Sequence, residues 1–338
     1  MSNTSSHVLI TGAAGFVGFH LSLACLRMGY HVTGIDTLNA YYDVQLKHDR
    51  LSLLKGRPGF RFVHGNICDK PLLDGLFAQH RFDIVVNLAA QAGVRYSIER
   101  PYEYIDANLI GFINILEACR QYPVKHLLFA SSSSVYGNSS HTPHSEDQKT
   151  DAPVSLYAAT KKANELMAHS YAHLYGIPAT GLRFFSVYGP WGRPDMAYFS
   201  FTNHIVENKP ITLYHRGQMR RDFTYIDDVV RSIMALLPTP PASGAAPFDI
   251  FNIGNHQPVW MYDFIAVLEQ TIGKKAVIEH VPFQNGDVNE TFANTDRLSR
   301  KLGFAPQTTL RQGLRNFVDW YVGYYGTAPK TKEKVEVK

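Results

Sequence analysis

A tyrosine and a lysine four residues apart, Tyr157 and Lys161, are the side chains of this sequence best suited to proton transfer. On a helix this spacing places the phenol and the ammonium on one face, where residues at i and i+4 meet. A free phenol has a pKa of about 10, and an adjacent cation favours its ionised form, so Tyr157 could exchange a proton near neutral pH. Oxidation of an alcohol to a ketone requires such a group. Because ordinary amphipathic helices show the same spacing, the pair needs support from the rest of the chain.

A glycine-rich turn near the N-terminus supplies part of that support. Gly12, Gly15 and Gly18 lie three residues apart, after a predicted strand and at the start of a predicted helix. Absent side chains let the turn close, let backbone N–H groups approach a pyrophosphate and let the helix pack on the strand. The helix N-terminus also favours negative charge. The pattern therefore predicts a dinucleotide site.

An aspartate predicts which dinucleotide is bound. Asp36 ends the second predicted strand, about 20 residues beyond the glycines, where a carboxylate binds the adenosine ribose hydroxyls. A 2′-phosphate would meet a like charge there, so NAD is favoured over NADP. The alternative is that Asp36 is only a polar strand end before the turn at Leu38 and Asn39.

The elements that must position these residues alternate along the first half of the chain. Short apolar runs predict strands at 7–11, 30–35, 60–64, 83–88, 125–130 and 179–184, and longer stretches predict helices near 15–28, 69–79, 101–121 and 157–175. Near-continuous apolar strands that alternate with helices indicate an α/β fold, a Rossmann-type doubly wound parallel sheet. Ligands of such sheets bind outside the carboxyl ends of the strands.

The second half of the chain has a different pattern. Proline and glycine interrupt regular structure after Tyr188 and again near 238–244, and shorter helices are predicted near 225–236, 260–272 and 310–325. We interpret this part as a smaller α/β substrate-binding lobe. The predicted division is a large lobe at 1–185 with a returning segment near 222–256, a smaller lobe at 186–221 and 257–326, and a disordered tail at 327–338.

Composition excludes several classes of protein. The 338 residues carry a formal net charge of only +4, with no long basic run interleaved with aromatics, so nucleic acid is not an expected partner. No run approaches the roughly 18 apolar residues that span a bilayer, and the N-terminus lacks a signal pattern. Cys25, Cys68 and Cys119 lack the spacing of a zinc site or a disulfide framework. We expect a cytosolic protein without a metal and without membrane or nucleic-acid partners.

With these motifs assembled, the sequence from His7 to about Tyr325 resembles the extended short-chain dehydrogenase/reductase superfamily, and within it the nucleotide-sugar epimerases. The segments that carry the resemblance are 11–18, 87–97, 131–137, 157–161, 182–196 and 221–228. The segments 91–97 and 186–196 look most like those of UDP-glucuronate 4-epimerases, which interconvert UDP-glucuronate and UDP-galacturonate. The resemblance implies tightly bound NAD, a UDP-sugar substrate and a homodimer that pairs through the helices near 101–121 and 157–175.

The resemblance also implies roles for individual residues. Tyr157 is the acid and base, Lys161 lowers its pKa and binds the nicotinamide ribose, and Ser132 bonds the sugar 4-hydroxyl, although counting alone leaves the choice among Ser131–Ser134 open. The residues expected to bind the cofactor are Gly12, Ala14, Gly15, Phe16, Val17, Gly18, Asp36, Asn39, Asn66, Ile67, Leu88, Ala89, Ala90, Gln91, Asn108, Tyr157, Lys161 and Phe184. Those expected to bind the substrate are Arg95, Ser132, Ser133, Ser134, Tyr157, Ser186, Arg193, Arg221 and Asp287.

A uronate substrate adds a hazard, because oxidation at C4 creates a β-keto acid that loses CO₂ readily. Hydroxyl donors that hold the carboxylate out of alignment with the new carbonyl would prevent this, and Ser133, Ser134 and Ser186 are the candidates. Arg193 could compensate the carboxylate charge or form a structural salt bridge. Relatives often carry threonine at the position of Ser186.

Other functions differ in residues near the catalytic pair. Dehydratases of the superfamily carry an Asp-Glu pair where this chain has serines after Ser132, so no acid is available there. A UDP-glucuronate decarboxylase shares the first oxidation, and a 4-epimerase of neutral UDP-sugars shares the whole cycle, so both stay open. A non-catalytic NAD-binding regulatory protein is disfavoured because Tyr157 and Lys161 are both present.

Overall fold

Seven parallel strands form the central sheet of the computed structural model, which describes residues 6–282 and 287–326. Their order across the sheet is β3-β2-β1-β4-β5-β6-β10. The strands are β1 His7–Thr11, β2 His31–Asp36, β3 Phe60–His64, β4 Ile84–Asn87, β5 His126–Ser132, β6 Ala179–Phe184 and β10 Phe248–Ile253. The chain order reverses between β1 and β4, which is where doubly wound sheets bind ligands.

Helices cover both faces of this sheet. They are α1 Phe16–Arg27, α2 Val44–Leu54, α3 Lys70–Gln79, α4 Tyr96–Glu99, α5 Pro101–Tyr104, α6 Gly111–Gln121, α7 Leu156–Tyr175, α8 Ala197–Glu207, α9 Ile226–Leu236, α10 Met261–Ile272, α11 Asp296–Leu302 and α12 Leu310–Tyr325. Successive strand residues enter opposite cores: Leu127 and Phe129 of β5 join one cluster, and Leu128 joins the other. The predicted doubly wound α/β fold is confirmed.

Two small sheets lie outside the central one. One holds β7 Ser186–Tyr188, β9 Arg220–Tyr225 and β11 Pro258–Trp260, and the other pairs β8 Pro210–Tyr214 with β12 Val277–Val281. Since β10 pairs with β6 in the large sheet, the chain returns to that sheet after β9. The predicted division into lobes stays a prediction, and the predicted disordered tail at 327–338 lies outside the described residues.

Four helices were not predicted: α2, α4, α8 and α11. Helix α2 mixes charged and apolar residues, and its N-terminus is capped by Asp43, whose carboxylate accepts from the Gln45 N–H. The helix predicted over 101–121 is continuous in space but contains a π-helical turn at Ile105–Ile110. Such turns insert an extra residue and often occur near functional sites.

The structure also bears on membranes and thiols. Within the two described ranges, no helix combines the length and apolar character that crossing a membrane requires. Cys25 and Cys119 are buried, Cys68 is half-buried, and all three are free thiols.

Candidate active site

A cavity of about 1180 Å³ runs along the carboxyl ends of the parallel strands, between the central sheet and the small sheets. Of the residues predicted to bind cofactor or substrate, all line this cavity except Ala14 and Asn108. The fold thus gathers into one space residues that are separated by up to 275 positions in the sequence, from Gly12 to Asp287. Two halves can be distinguished, one beside the glycine-rich turn and one beside the small sheets.

The glycine-rich turn begins the first half and has no room for side chains. Gly12 has φ +69°, and a Cβ there would lie 2.9 Å from the backbone nitrogen of Ala89. A Cβ on Gly18 would lie 2.1 Å from the Gly12 carbonyl oxygen. Only glycine therefore permits β1, β4 and the N-terminus of α1 to converge. This leaves backbone N–H groups at the cavity wall.

Asp36 lies at the end of β2, as predicted, and holds the turn as well as facing the cavity. Its Oδ2 accepts from the Ala14 N–H at 3.0 Å, and its Oδ1 accepts from the Leu38 N–H at 2.8 Å. A carboxylate has about four lone-pair positions, so both oxygens keep capacity for ribose hydroxyls. The two readings of Asp36, turn residue and ribose ligand, are compatible.

Lys47 is a residue of this half that sequence reasoning missed. Its Nζ donates to the carbonyl and to the side-chain Oδ1 of Asn39, at 2.6 Å each, and burial lowers its pKa to about 8. Lys47 lines the cavity near Asp36. Nothing in the sequence of α2 separates this lysine from an exposed one, because its burial depends on the loop that precedes the helix.

Ala14 and Asn108 lie behind the wall rather than in it. Asn108 donates to the Gln91 carbonyl and to Thr160 Oγ1, and it accepts from the Gln91 N–H at 2.8 Å. It therefore holds in place a neighbour that does line the cavity. Ala14 is fully buried, with its N–H on Asp36 and its carbonyl on Arg50. Both residues support the cavity wall, and their direct contact with a cofactor stays a prediction.

The predicted catalytic residues meet where β5 ends beside α7. The Ser132 hydroxyl lies close enough to Tyr157 to lower its pKa, and Lys161 Nζ donates to the Ala130 carbonyl at 3.0 Å. Lys161 is buried, and burial lowers its pKa to about 8. An ammonium has three N–H donors, and Ala130 uses one of them.

The pKa of Tyr157 differs from expectation. Burial raises it above the ordinary value for a phenol, while the hydrogen bond with Ser132 and the charge of Arg193 act in the opposite direction. In the protein by itself the net shift is therefore upward, and the role of Lys161 in lowering this pKa stays a prediction. Desolvation of the phenolate outweighs its attraction to nearby cations.

The four serines at the end of β5 and directly after it differ in their contacts. Ser131 Oγ donates to Glu165 Oε1 at 2.6 Å, so its hydroxyl is held by the buried carboxylate. Ser132 is the serine beside Tyr157, and its Oγ accepts from Ser134 Oγ at 3.0 Å. The geometry thus favours Ser132 as the serine that meets a substrate hydroxyl, a role that stays a prediction.

A buried ion pair that sequence reasoning missed lies beneath this group. Arg183 on β6 donates from Nε and Nη2 to the two carboxylate oxygens of Glu165 on α7, at 2.8 and 2.9 Å. Arg183 Nη1 also donates to the Tyr136 hydroxyl, which donates to Asn252 Oδ1 on β10. Glu165 follows Lys161 by four residues, so the pair ties the catalytic helix to three strands. No local pattern predicts a contact across 18 residues of sequence.

Cations concentrate at the other end of the cavity. Arg95 contacts Asp287 with 3.5 Å between Nη2 and Oδ2, and its guanidinium lies over the Tyr214 ring at 4.4 Å. Arg221 Nη1 donates to the carbonyls of Arg220 and Asn289, and burial lowers the pKa of Arg221. This end is suited to a polyanion such as a nucleoside diphosphate.

Arg193 lies between the two ends. Its Nε and Nη2 donate to Asp195 at 3.1 and 2.5 Å, so of its two predicted roles the salt bridge is present. The guanidinium nevertheless lines the cavity and acts on the pKa of Tyr157. Ser133, Ser134 and Ser186, the serines expected around a carboxylate, line the same cavity.

Several known proteins are similar to this chain in sequence, and some of them are named as UDP-glucuronate 4-epimerases. The chain is 45% identical over 337 residues to the probable UDP-glucuronate 4-epimerase of Rhizobium meliloti (strain 1021). The alignment covers 96% of this chain and 99% of that protein. It is 49% identical to Protein CapI of Staphylococcus aureus, over 94% of this chain and 99% of CapI.

A solved structure extends the likeness to three dimensions. The crystal structure of the Bacillus cereus UDP-glucuronic acid 4-epimerase in complex with UDP-glucuronic acid and NAD has a TM-score of 0.88 and 34% identity, covering 94% of this chain and 100% of that chain. The family model for the NAD dependent epimerase/dehydratase family matches residues 8–254. The chain belongs to the NAD dependent epimerase/dehydratase family.

Proposed function

We propose that this protein is an NAD-dependent 4-epimerase that interconverts UDP-glucuronate and UDP-galacturonate through a transient 4-keto sugar. The observation that carries the proposal is the meeting of Ser132, Tyr157 and Lys161 in a cavity that is also lined by Arg193 and by Ser133, Ser134 and Ser186. The first group suits oxidation of a secondary alcohol, and the second suits a carboxylate beside it. The relatives named for this activity match almost the whole chain.

The first half of the cavity fits NAD. Gly12, Gly15 and Gly18 leave room for a pyrophosphate, Asp36 has lone pairs for ribose hydroxyls, and Lys161 has unused N–H donors for a second ribose. Asp36 also disfavours a 2′-phosphate by like charge. Bound NAD supplies the hydride acceptor and donor that no side chain can provide.

Tyr157 carries the proton in this scheme. It takes the proton of the sugar 4-hydroxyl as the alcohol is oxidised, and it gives the proton back when the ketone is reduced on its opposite face. Since burial raises the pKa of Tyr157, the protein must stabilise the phenolate, and Ser132, Lys161 and Arg193 are the donor and the two cations available. Ser132 also bonds the sugar oxygen and orients it toward the phenol.

The carboxylate of the substrate must be controlled while C4 is a ketone. We propose that Ser133, Ser134 and Ser186 hold it by hydrogen bonds, turned away from alignment with the new carbonyl. Arg221 and Arg95, at the far end, hold the UDP while the sugar turns. An anchored nucleotide and a rotating sugar together account for inversion at C4 without release.

Three wider features belong to the same proposal: the division into a large and a small lobe, a cytosolic location and a homodimer. The helices near 101–121 and 157–175 expose large apolar side chains, among them Tyr102, Ile110, Leu166 and Leu174. Apolar patches of this kind often form protein interfaces. Light scattering of the purified protein distinguishes a dimer from a monomer.

The deciding experiment offers the purified protein UDP-glucuronate and UDP-glucose in separate reactions. NMR of the products and measurement of released CO₂ follow each one. From UDP-glucuronate we expect UDP-galacturonate without release of CO₂. From UDP-glucose we expect no product. Conversion of only the neutral sugar would contradict the uronate assignment, and a UDP-pentose with CO₂ would indicate a decarboxylase.

A further inference from the structure

A carboxylate and a tyrosine that the function above does not use surround the guanidinium of Arg193. Asp195 accepts from Arg193 Nε at 3.1 Å on Oδ1 and from Nη2 at 2.5 Å on Oδ2. The Tyr41 hydroxyl donates to the same Oδ2 at 3.1 Å, and the guanidinium lies over the Tyr41 ring, 5.8 Å from its centroid. All three residues line the cavity. The sugar's own carboxylate would therefore enter beside one that the protein already provides.

The backbone that carries Arg193 is held firmly from below. Arg50 is fully buried and donates from Nε and Nη2 to the Trp191 carbonyl, from Nη2 to the Gly192 carbonyl at 2.8 Å, and from Nη1 to the Ala14 carbonyl at 2.9 Å. The loop before Arg193 is thus tied to the glycine-rich turn. A rearrangement around Arg193 must therefore come from movement of side chains and not from movement of the loop.

The side chains, by contrast, are able to exchange partners. The side chain of Arg193 is 21% exposed and that of Asp195 is 31% exposed. Partial access to water lowers the cost of separating the two groups, so a second carboxylate can compete with the first. Asp195 occupies Nε and Nη2, so a substrate carboxylate must displace it from these donors or share the guanidinium with it.

We propose that Asp195, held by Tyr41, is a positioning residue that competes with the substrate carboxylate for Arg193. The inference rests on the proposed function, because it requires a uronate in the cavity. A guanidinium shared between two carboxylates binds the sugar less tightly than a free one. The keto sugar can then release its carboxylate from Arg193, turn, and bind again on its other face.

The competition also affects which sugar is bound, because a neutral sugar has no carboxylate that could replace Asp195 on Arg193. Tyr41 contributes by fixing the Oδ2 oxygen that Arg193 Nη2 also binds. Its hydroxyl lies against Gly93, where a Cβ would be only 2.8 Å away, so its own position is constrained. Removing either group should free Arg193 for the sugar.

The test compares Asp195→Asn with wild type, both loaded with NAD, by calorimetry with UDP-glucuronate and with UDP. We expect about tenfold tighter binding of UDP-glucuronate, unchanged binding of UDP, and a several-fold lower kcat with a lower KM, because a carboxylate held more tightly slows the turn. Tyr41→Phe should shift binding in the same direction by a smaller factor. Asp249→Asn, which removes a charge from the Arg297 pair outside the cavity, is the matched control and should change neither quantity.

Unchanged or weaker binding of UDP-glucuronate to both variants would overturn the inference, as would an equal change for UDP. If Asp195→Asn fails to fold, Tyr41→Phe decides alone, since it keeps the ring that packs beneath the guanidinium. Failure of the proposed function is a different result, seen when wild type does not convert UDP-glucuronate. Conversion by wild type without tighter binding by the variants refutes only the role of Asp195.

Discussion

The two ends of the cavity hold their charged residues in opposite ways. At the catalytic end, Lys161 is buried against a backbone carbonyl, and the Glu165–Arg183 pair beneath it is 2% exposed on both sides. At the other end, which holds Arg95 and Asp287 and is called the recognition end below, Arg95 is 52% exposed. Its nearest carboxylate oxygen, on Asp287, is 3.5 Å away. Proton transfer needs fixed distances, whereas a site that admits a charged substrate needs cations able to change partners. The comparison predicts that substitutions will act differently at the two ends.

The largest effect is expected from Tyr157→Phe, which removes the group that carries the proton. Turnover of UDP-glucuronate should fall by about 10³-fold or more, as expected for loss of a general acid and base. NAD binding, measured by fluorescence or by the cofactor content of the purified protein, should stay unchanged. Tyr175→Phe makes the same change on the same helix outside the cavity and should retain full turnover. Retained turnover in Tyr157→Phe would disprove the assigned mechanism.

The buried pair should respond next. Glu165→Gln leaves the Arg183 guanidinium without its counter-charge in the interior and should lower the free energy of unfolding by about 3–5 kcal/mol. Urea unfolding followed by circular dichroism measures the loss. Asp74→Asn, in the exposed pair with Lys70, is the control and should cost less than about 1 kcal/mol. Equal losses in the two variants would show that burial does not make the Glu165–Arg183 pair more important for stability than a surface pair.

A smaller effect concerns pH. The pKa of Lys161 is lowered to about 8 by burial, so its ammonium is present below that pH and is lost above it. Because the mechanism needs this charge, kcat/KM should fall above pH of about 8, approaching tenfold per unit. Lys161→Arg keeps a cation at every accessible pH, so the fall of kcat/KM should begin at a higher pH in this variant. If kcat/KM of the arginine variant falls at the same pH as that of wild type, the fall belongs to a group other than Lys161.

The smallest effect on stability is expected at the recognition end. Arg95→Gln breaks the contact with Asp287 at the surface and should change the free energy of unfolding by less than about 1 kcal/mol. The KM for UDP-glucuronate should nevertheless rise several-fold, because one cation facing the nucleotide is lost. Arg297→Gln makes the same change in a pair outside the cavity and should leave KM unaltered. A large loss of stability in Arg95→Gln would show that this end is also structural.

Much of the fold was predictable because its signals are local. Gly12, Gly15 and Gly18 indicate their turn by the absence of side chains, and the six apolar runs of the first half correspond to strands of the central sheet. The helix at 157–175 begins where Ser155 caps it, so the spacing of Tyr157 and Lys161 translates directly into one face. Helix α2 escaped prediction because its apolar residues follow no clear helical period, although Leu46, Leu51 and Leu54 are buried.

The sequence by itself determined the six strands and most helices of the first half of the chain, the dinucleotide turn and the types of residue at the reacting centre, since each depends on neighbours within a few positions. Tertiary structure alone decided which serine meets Tyr157, that Glu165 pairs with Arg183, and that Asp195 and Tyr41 surround Arg193. It also decided the direction of the Tyr157 pKa, because desolvation depends on everything packed around the phenol and not on the lysine one turn away.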